Sequence, residues 1–338
     1  MIPPRLQWCH QICVTSVCWP KAASGQPSAC SNCTRLLGHE SKRYVMTPEQ
    51  FELCLRVARD FVFDSPPCPK GRQNKVIGIF GGEPLMSPHF PTYVDIACDL
   101  LPARHRGLWT SFDWPNYRNP KWGDAAPLVR RLLGRRNGRP IGYLNWNMHE
   151  VGNVCEHHPV LVSISDVVQD ERRRWELISE CWLNRDWSAA YALDHAGEAK
   201  FYFCEIASSF DRVMRLGTGL PVLSGVWNGD LSFVPDDHGV LRPVGPYAAQ
   251  ILASCSRCGQ ALPVKRGRRD LDNVDDISPS NLTTLRELGS PMVARGDYAD
   301  FDPALYEEPD QADYAGTYIK SGTVRSSKIK HRRRWGRR

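Results

Sequence analysis

Apolar residues recur at helical spacing after Thr47-Pro-Glu-Gln50, where Phe51, Cys54, Leu55, Val57, Ala58 and Phe61 mark one face. A threonine followed three residues later by glutamine, with proline at the first helical position, is a capping box. The spacing therefore predicts a helix over 48–63, with Cys54 packed on its apolar side. Short apolar runs at 12–17, 75–80, 107–112, 141–147 and 160–165 read as strands. Helical patterns near 91–101, 124–133 and 170–183 stand between them. Strands alternating with helices imply a parallel sheet joined by crossover helices.

Beyond Trp182 the pattern changes. Trp187-Ser-Ala-Ala-Tyr-Ala192, a turn at Asp194-His-Ala-Gly-Glu198 and Lys200-Phe-Tyr-Phe203 predict a β-hairpin. Residues 212–246 are rich in Gly and Pro and carry few helix signals. Tyr247 to Ala253 predicts a short helix leading into Cys255-Ser-Arg-Cys258, and Ser278-Pro-Ser-Asn-Leu heads another. No core pattern survives past about residue 300, and no internal repeat is present. These shifts divide the chain into a core over 1–180, a small module over 181–265, an extension over 266–318 and a basic tail over 319–338.

The 338 residues are 42% apolar and 24% charged, within the range of globular proteins, and suffice for one sizeable core and a smaller unit. The net charge of +6 is unevenly placed. Nine Lys and Arg fall between Lys320 and Arg338 with no acidic residue, leaving 34 basic against 37 acidic residues elsewhere. No run approaches the ~20 apolar residues of a membrane span. Met1-Ile-Pro-Pro-Arg-Leu-Gln-Trp lacks the apolar stretch of a signal peptide. A cytoplasmic, reducing location is therefore expected, where thirteen cysteines are ligands or small buried hydrophobes rather than disulfides.

Two segments carry the candidate chemistry. Val14-Thr-Ser-Val-Cys18 delivers a cysteine at the end of a β-prone run, and a Pro, Ala, Ser and Gly-rich loop returns Cys30-Ser-Asn-Cys33. Three thiolates can hold three irons of a cubane and leave the fourth open; zinc is the other soft-ligand choice. Lys75-Val-Ile-Gly-Ile-Phe80 then runs into Gly81-Gly82-Glu83-Pro84, where glycines allow the backbone close to a ligand. Cys9 and Cys13, on or before the first strand, are less well placed.

Together these segments resemble the radical S-adenosylmethionine (SAM) superfamily, over roughly residues 10–260. Members usually space the cysteines Cys-x3-Cys-x2-Cys with an aromatic before the last. Here eleven residues separate Cys18 from Cys30, and Asn32 precedes Cys33. The resemblance implies an α/β fold of the partial (β/α)6 open-barrel type. It implies a [4Fe-4S] cluster on Cys18, Cys30 and Cys33, and SAM held at Gly81, Gly82, Glu83 and Pro84. Glu83 contacts the ligand or fixes the turn. Further contacts are expected at strand ends, where Thr110-Ser111, Asn145 and Asn147 stand. The implied activity is reductive cleavage of SAM to a 5′-deoxyadenosyl radical for hydrogen abstraction from a peptide, sugar or nucleotide. An external one-electron reductant such as flavodoxin or ferredoxin is implied as partner.

Cys181, Cys204, Cys255 and Cys258 flank the predicted hairpin and form a Cys-x-x-Cys pair. Their order resembles the twitch module, a shortened SPASM domain that holds an auxiliary [4Fe-4S] cluster. A structural zinc on the same four thiolates is the alternative. Cys181 also shares a helix face with Trp175 and Ile178, in which case Cys155 would take its place. His149, Cys155, His157 and His158 have spacing compatible with a transition metal or with a polar loop at the mouth of the expected barrel, touching substrate or SAM. The tail from Lys328 to Arg338 can contact phosphates with Trp335 stacking on a base, or stand as a solvated terminus. The rival to an enzyme is thus a zinc-stabilised module that binds nucleic acid through 319–338.

Overall fold

The computed structural model describes residues 8–18, 30–64, 75–146, 156–181, 183, 188–228, 231–263, 268–269 and 274–306. Numbering only the central sheet, its strands are β1 (Cys9–Thr15), β2 (Val76–Gly81), β3 (Arg106–Thr110), β4 (Tyr143–Trp146), β5 (Ser188–Leu193), β6 (Ala199–Tyr202) and β7 (Leu220–Pro221). Their order is β7-β6-β5-β1-β2-β3-β4. The five strands from β5 to β4 are mutually parallel, and β6 and β7 add antiparallel. The fold is α/β with an open, mostly parallel sheet whose edges are β7 and β4.

The capping box forms as the sequence predicts. Gln50 N–H donates to Thr47 Oγ1 at 3.2 Å, and Thr47 N–H donates to Gln50 Oε1 at 3.0 Å, heading α1 (Pro48–Asp64). Together with α2 (Phe90–Leu100) and α3 (Ala125–Leu133), α1 supplies apolar side chains to the core built on Ile12, Val14, Ile77, Ile79 and Leu108. Cys54 is buried there, as expected of a packing residue. The opposite sheet face carries Cys9, Val76 and Trp109 near β2 and β3, and Cys13, Ala190, Ala192 and Tyr202 nearer β5, with Phe80 between. Trp109 lies across Gly78; a Cβ there would stand 1.7 Å from the indole.

Three elements depart from the sequence reading. The hairpin forms, but β5 pairs in parallel with β1, from Cys9 opposite Ser188 to Ile12 opposite Tyr191. It is therefore built into the central sheet. Ala189 to Leu193 are all buried, the signature of a strand covered on both faces.

The apolar run at 160–165 is not a strand; it is a buried loop entering α4 (Ile164–Val167). Gly259 N–H donates to Val160 O, Asn281 Nδ2 donates to Leu161 O, and Ser163 N–H donates to Ser278 Oγ. Those bonds satisfy its backbone without a ladder. A short apolar run cannot by periodicity alone reveal which it is.

After α5 (Glu171–Ser179), a helix absent from the sequence reading follows β6, α6 (Glu205–Met214). It lies on the Cys13 face, where Tyr202 Oη donates to Asp211 at 2.7 Å. Arg35, over the Phe80 ring, donates to Glu205 O and Ser208 Oγ at 2.8 and 2.7 Å. The chain continues through α7 (Ala248–Cys255), α8 (Pro279–Glu287) and α9 (Pro291–Arg295). Residues past 300 still contribute to packing, since Tyr306 is buried. The basic tail at 319–338 lies outside the described residues. No helix among those described is long and apolar enough to cross a membrane.

Candidate functional site

The carboxyl end of β1 is zipped to the glycine turn. Gly81 pairs with Thr15 in the parallel register, Gly82 N–H donates to Thr15 O at 2.7 Å, and Glu83 N–H donates to Val17 O at 2.8 Å. Cys18 follows at once. A Cβ on Gly82 would lie 2.3 Å from Val17 O, so only glycine permits this approach. Gly81 has φ +142°, a setting side chains rarely adopt.

Glu83 is fully buried and engaged within the fold. Its Oε1 accepts from Leu85 N–H (3.1 Å) and Thr110 Oγ1 (2.7 Å), and its Oε2 from Ser111 N–H and Oγ (2.9 and 3.0 Å). Burial raises its pKa while these donors pull it back. Of the two roles open in the sequence, the geometry gives Glu83 that of fixing the turn and the end of β3. Pro84 starts the short 3-10 turn Pro84–Met86. Ser111 holds Glu83. Asn145 is half-buried on β4 opposite Trp109, and alternation sets it on the same face as Tyr143, whose ring centroid lies 5.0 Å from that of Trp109. Asn147 lies outside the described residues.

The Cys30–Cys33 turn is held from the far end of the chain. Asn32, at φ 51°, exchanges hydrogen bonds with Asp276, and its N–H donates to Asp275 Oδ1 at 2.5 Å. Asp275 also meets His39 Nε2 at 2.9 Å, while Val274 N–H donates to Ser31 Oγ. His157 Nδ1 lies 3.0 Å from Ser31 O. Burial raises the Cys33 pKa, with the Asp275 charge acting in the same sense; backbone N–H groups of Leu37 and Arg35 and the Arg35 charge act the other way. Such N–H donors favour the thiolate, the form that binds metal. Nothing in the sequence pattern singled out Asp275, Asp276 or His39, because their partners lie more than 230 residues away.

The second cysteine set lines a common space. Cys181, Cys204, Cys255 and Cys258 all line one small cavity, walled by Ile178, Phe203, Ile206 and Ala207. Cys181 follows α5, Cys204 is the N-cap of α6, and Cys255 ends α7. Gln260 N–H donates to Cys258 Sγ at 3.4 Å, and Ala207 N–H serves Cys204 in the same way. Burial pushes Cys258 up to about 12 and raises Cys204 well above the ordinary thiol value, so both are neutral thiols unless a cation displaces the proton. The four donors match thiolate metal chemistry in kind and share one site. As placed, however, no group of three or more His, Cys, Asp or Glu side chains among the described residues could hold a metal ion. One torsion per cysteine redirects each sulfur within the cavity.

Cys18 and Cys204 lie toward opposite ends of the sheet, while Arg35, two residues past Cys33, reaches Glu205 O beside Cys204. Ala190 pairs with Tyr202, so β6 delivers Cys204 toward the level of Ser188 and Cys9, the amino ends of the parallel strands. Cys18 stands beyond the carboxyl end of β1, roughly 20 Å or more away at about 3.3 Å per residue. Cys9 and Cys13 are buried on the sheet face. Of the histidine-containing cluster, His149 and Cys155 lie outside the described residues, and desolvation lowers the half-buried His158 to about 4. No protein-family model matches the chain, and no curated protein matches its sequence.

Proposed function

We propose that the chain is a radical SAM enzyme, with its reacting site at the carboxyl rim of β1, β2 and β3. The observation that supports this is the bond from Glu83 N–H to the carbonyl of Val17, the residue before Cys18, with Gly82 packed against the same carbonyl. Cys18, Cys30 and Cys33 would hold a [4Fe-4S] cluster, and Gly81 and Gly82 would receive the methionine end of SAM. When bound, the pair supplies one-electron cleavage of SAM to methionine and a 5′-deoxyadenosyl radical. The residues of the chain provide position: Glu83 locks the turn to Thr110 and Ser111, and Asn32 fixes the backbone before Cys33. Phe80, Trp109, Tyr143 and Asn145 belong to the face that continues below this rim, and there the partial-barrel arrangement would take substrate.

Cys181, Cys204, Cys255 and Cys258 would hold a second metal group, an auxiliary [4Fe-4S] cluster or zinc. Four thiolates around a mostly apolar cavity leave no ligand position for substrate, which favours a structural or electron-carrying role.

Iron, sulfide and zinc are to be quantified on protein purified without oxygen, and 5′-deoxyadenosine measured after adding SAM and dithionite. A brown protein that cleaves SAM, with cleavage abolished by Cys33→Ala and by Gly82→Ala, is the expected result. A colourless, zinc-containing protein inert toward SAM would sink the proposal and leave the zinc-stabilised binding module.

A further inference from the structure

Between α3 and β4 the chain folds a short hairpin, Arg135–Arg136 against Arg139–Pro140. Asn137 and Gly138 close it with φ of 51° and 77°, the positive values that a two-residue type I′ turn requires. Its base is tied down, since Ile141 N–H donates to Gly134 O at 3.2 Å and Gly142 N–H to Leu133 O at 2.7 Å. The register sets Arg136 directly opposite Arg139. Side chains so paired leave the same face of the ribbon with Cβ atoms roughly 4.5–5.5 Å apart, and like charges in that position are destabilising. Two guanidinium groups are therefore held side by side, in a repulsion that an anion between them would relieve.

No carboxylate among the described residues does so. Arg130 to Arg139 holds five arginines and no acidic residue, and Arg131 is engaged by Asp95. Arg130, Arg135, Arg136 and Arg139 are exposed and have no acidic partner among the described residues. Carboxylates are not scarce elsewhere, because the chain outside 320–338 holds 37 acidic residues for 34 basic ones. The charges of the patch are all arginine, whose planar fork grips phosphate with two hydrogen bonds. Four cations spread over a projecting ribbon and a helix end outnumber one small anion, whereas a row of phosphates meets them in turn. The tip of the ribbon is Asn137-Gly138, with no apolar side chain to enter a lipid surface. A two-stranded ribbon fits the major groove of B-DNA, about 12 Å wide, while the deep, narrow major groove of duplex RNA excludes it. We infer that this hairpin is a docking surface for double-stranded DNA, with Arg136 and Arg139 entering the groove and the neighbouring arginines meeting its phosphate walls.

The hairpin precedes the amino end of β4, away from the Gly81–Gly82 rim, so the inference is independent of the proposed SAM chemistry. Fluorescence anisotropy of labelled duplex DNA titrated with the full chain needs neither SAM nor reductant. The parent should bind, and Arg135→Gln, Arg136→Gln and Arg139→Gln combined should weaken binding at least tenfold. The plot of log affinity against log salt should lose about 2.7 from its slope, at about 0.9 for each of three phosphate contacts. The basic tail is common to both proteins and cancels. Because the triple variant relieves repulsion, its unfolding temperature should equal or exceed the parent's. Phenylglyoxal labelling of the parent, read by mass spectrometry, should show Arg136 and Arg139 shielded by the DNA. Failure to bind duplex DNA, an unchanged affinity and slope in the variant, or unshielded arginines would each overturn the assignment. Tighter binding to duplex RNA, or to vesicles of phosphatidylcholine and phosphatidylserine, would do the same.

Discussion

Asn32 and Asp276 exchange two hydrogen bonds across 244 residues: Asn32 Nδ2 donates to Asp276 Oδ2 at 2.8 Å, and Asp276 N–H donates to Asn32 Oδ1 at 2.9 Å. Asparagine also tolerates the left-handed φ of 51° that turns the chain between Cys30 and Cys33. The residue thus couples a local backbone requirement to a long-range tether. Asp276→Ala strips the amide of its acceptor and should cost about 1–3 kcal/mol. Urea unfolding of the variant measures it, and a change within about 0.3 kcal/mol would show the tether to be idle. The same variant should retain less iron after anaerobic reconstitution if the turn presents Cys30 and Cys33 to a cluster.

Gly78 exists to make room for Trp109. Because its Cβ would meet the indole at 1.7 Å, Gly78→Ala should destabilise by about 1–3 kcal/mol through overpacking. Adding Trp109→Leu removes the obstruction, so the alanine should cost clearly less in that background. A double-mutant cycle by denaturant unfolding reads the coupling, expected at about 1 kcal/mol or more. Simple additivity would mean that the ring yields freely.

Acid should unfold the protein partly through His10. Its ring stacks on Phe61 with centroids 3.7 Å apart, and burial, reinforced by Lys75, lowers its pKa from 6.5 to about 3. The folded chain therefore binds fewer protons than the unfolded chain between those values. The stabilising contribution is complete above pH 6.5 and declines as pH falls toward 3, at about 1.4 kcal/mol per pH unit. His10→Phe should flatten that part of the stability profile, whatever it does to the absolute value. An unchanged slope would place the acid sensitivity elsewhere.

Cys258 and Cys54 are both buried or nearly so, yet substitution should separate them. Cys54 sits on α1 among apolar neighbours, whereas Cys258 shares a cavity with three other cysteines. Cys258→Ser should remove one site's complement of metal per chain, while Cys54→Ser leaves metal content intact and lowers stability modestly. Identical metal loads in the two variants would reduce the four-cysteine cavity to packing.

Local signals in the sequence were reliable where one segment decides its own structure. The Thr47 and Gln50 pair heads α1, and the apolar runs at 75–80 and 107–112 become β2 and β3. Cys181, Cys204, Cys255 and Cys258, grouped in the sequence through their resemblance to a twitch module, line one space. Pairings decided by distant partners were not legible. Glu205 to Met214 carries Ser208, Ser209, Asp211 and Arg212, which read as surface residues, yet all four are buried, and Ser208, Asp211 and Arg212 bond to other segments. The pairing of β5 with β1 depends on two strands whose separate sequences specify only that both are covered. Asp275 and Asp276 resemble any acidic loop until their contacts with His39 and Asn32 are seen.

The seat of β5 against β1 has a bearing on synthesis. β1 emerges first from the ribosome, with every residue from Cys9 to Thr15 destined for burial, yet one of its hydrogen-bonding edges must wait for Ser188 to Tyr191. A nascent chain that has made only the first four strands carries an open, greasy seam, the sort of edge that recruits other polypeptides. Fragments ending near residue 150 should accordingly clump or engage chaperones, and the arrival of β5 closes the seam from within.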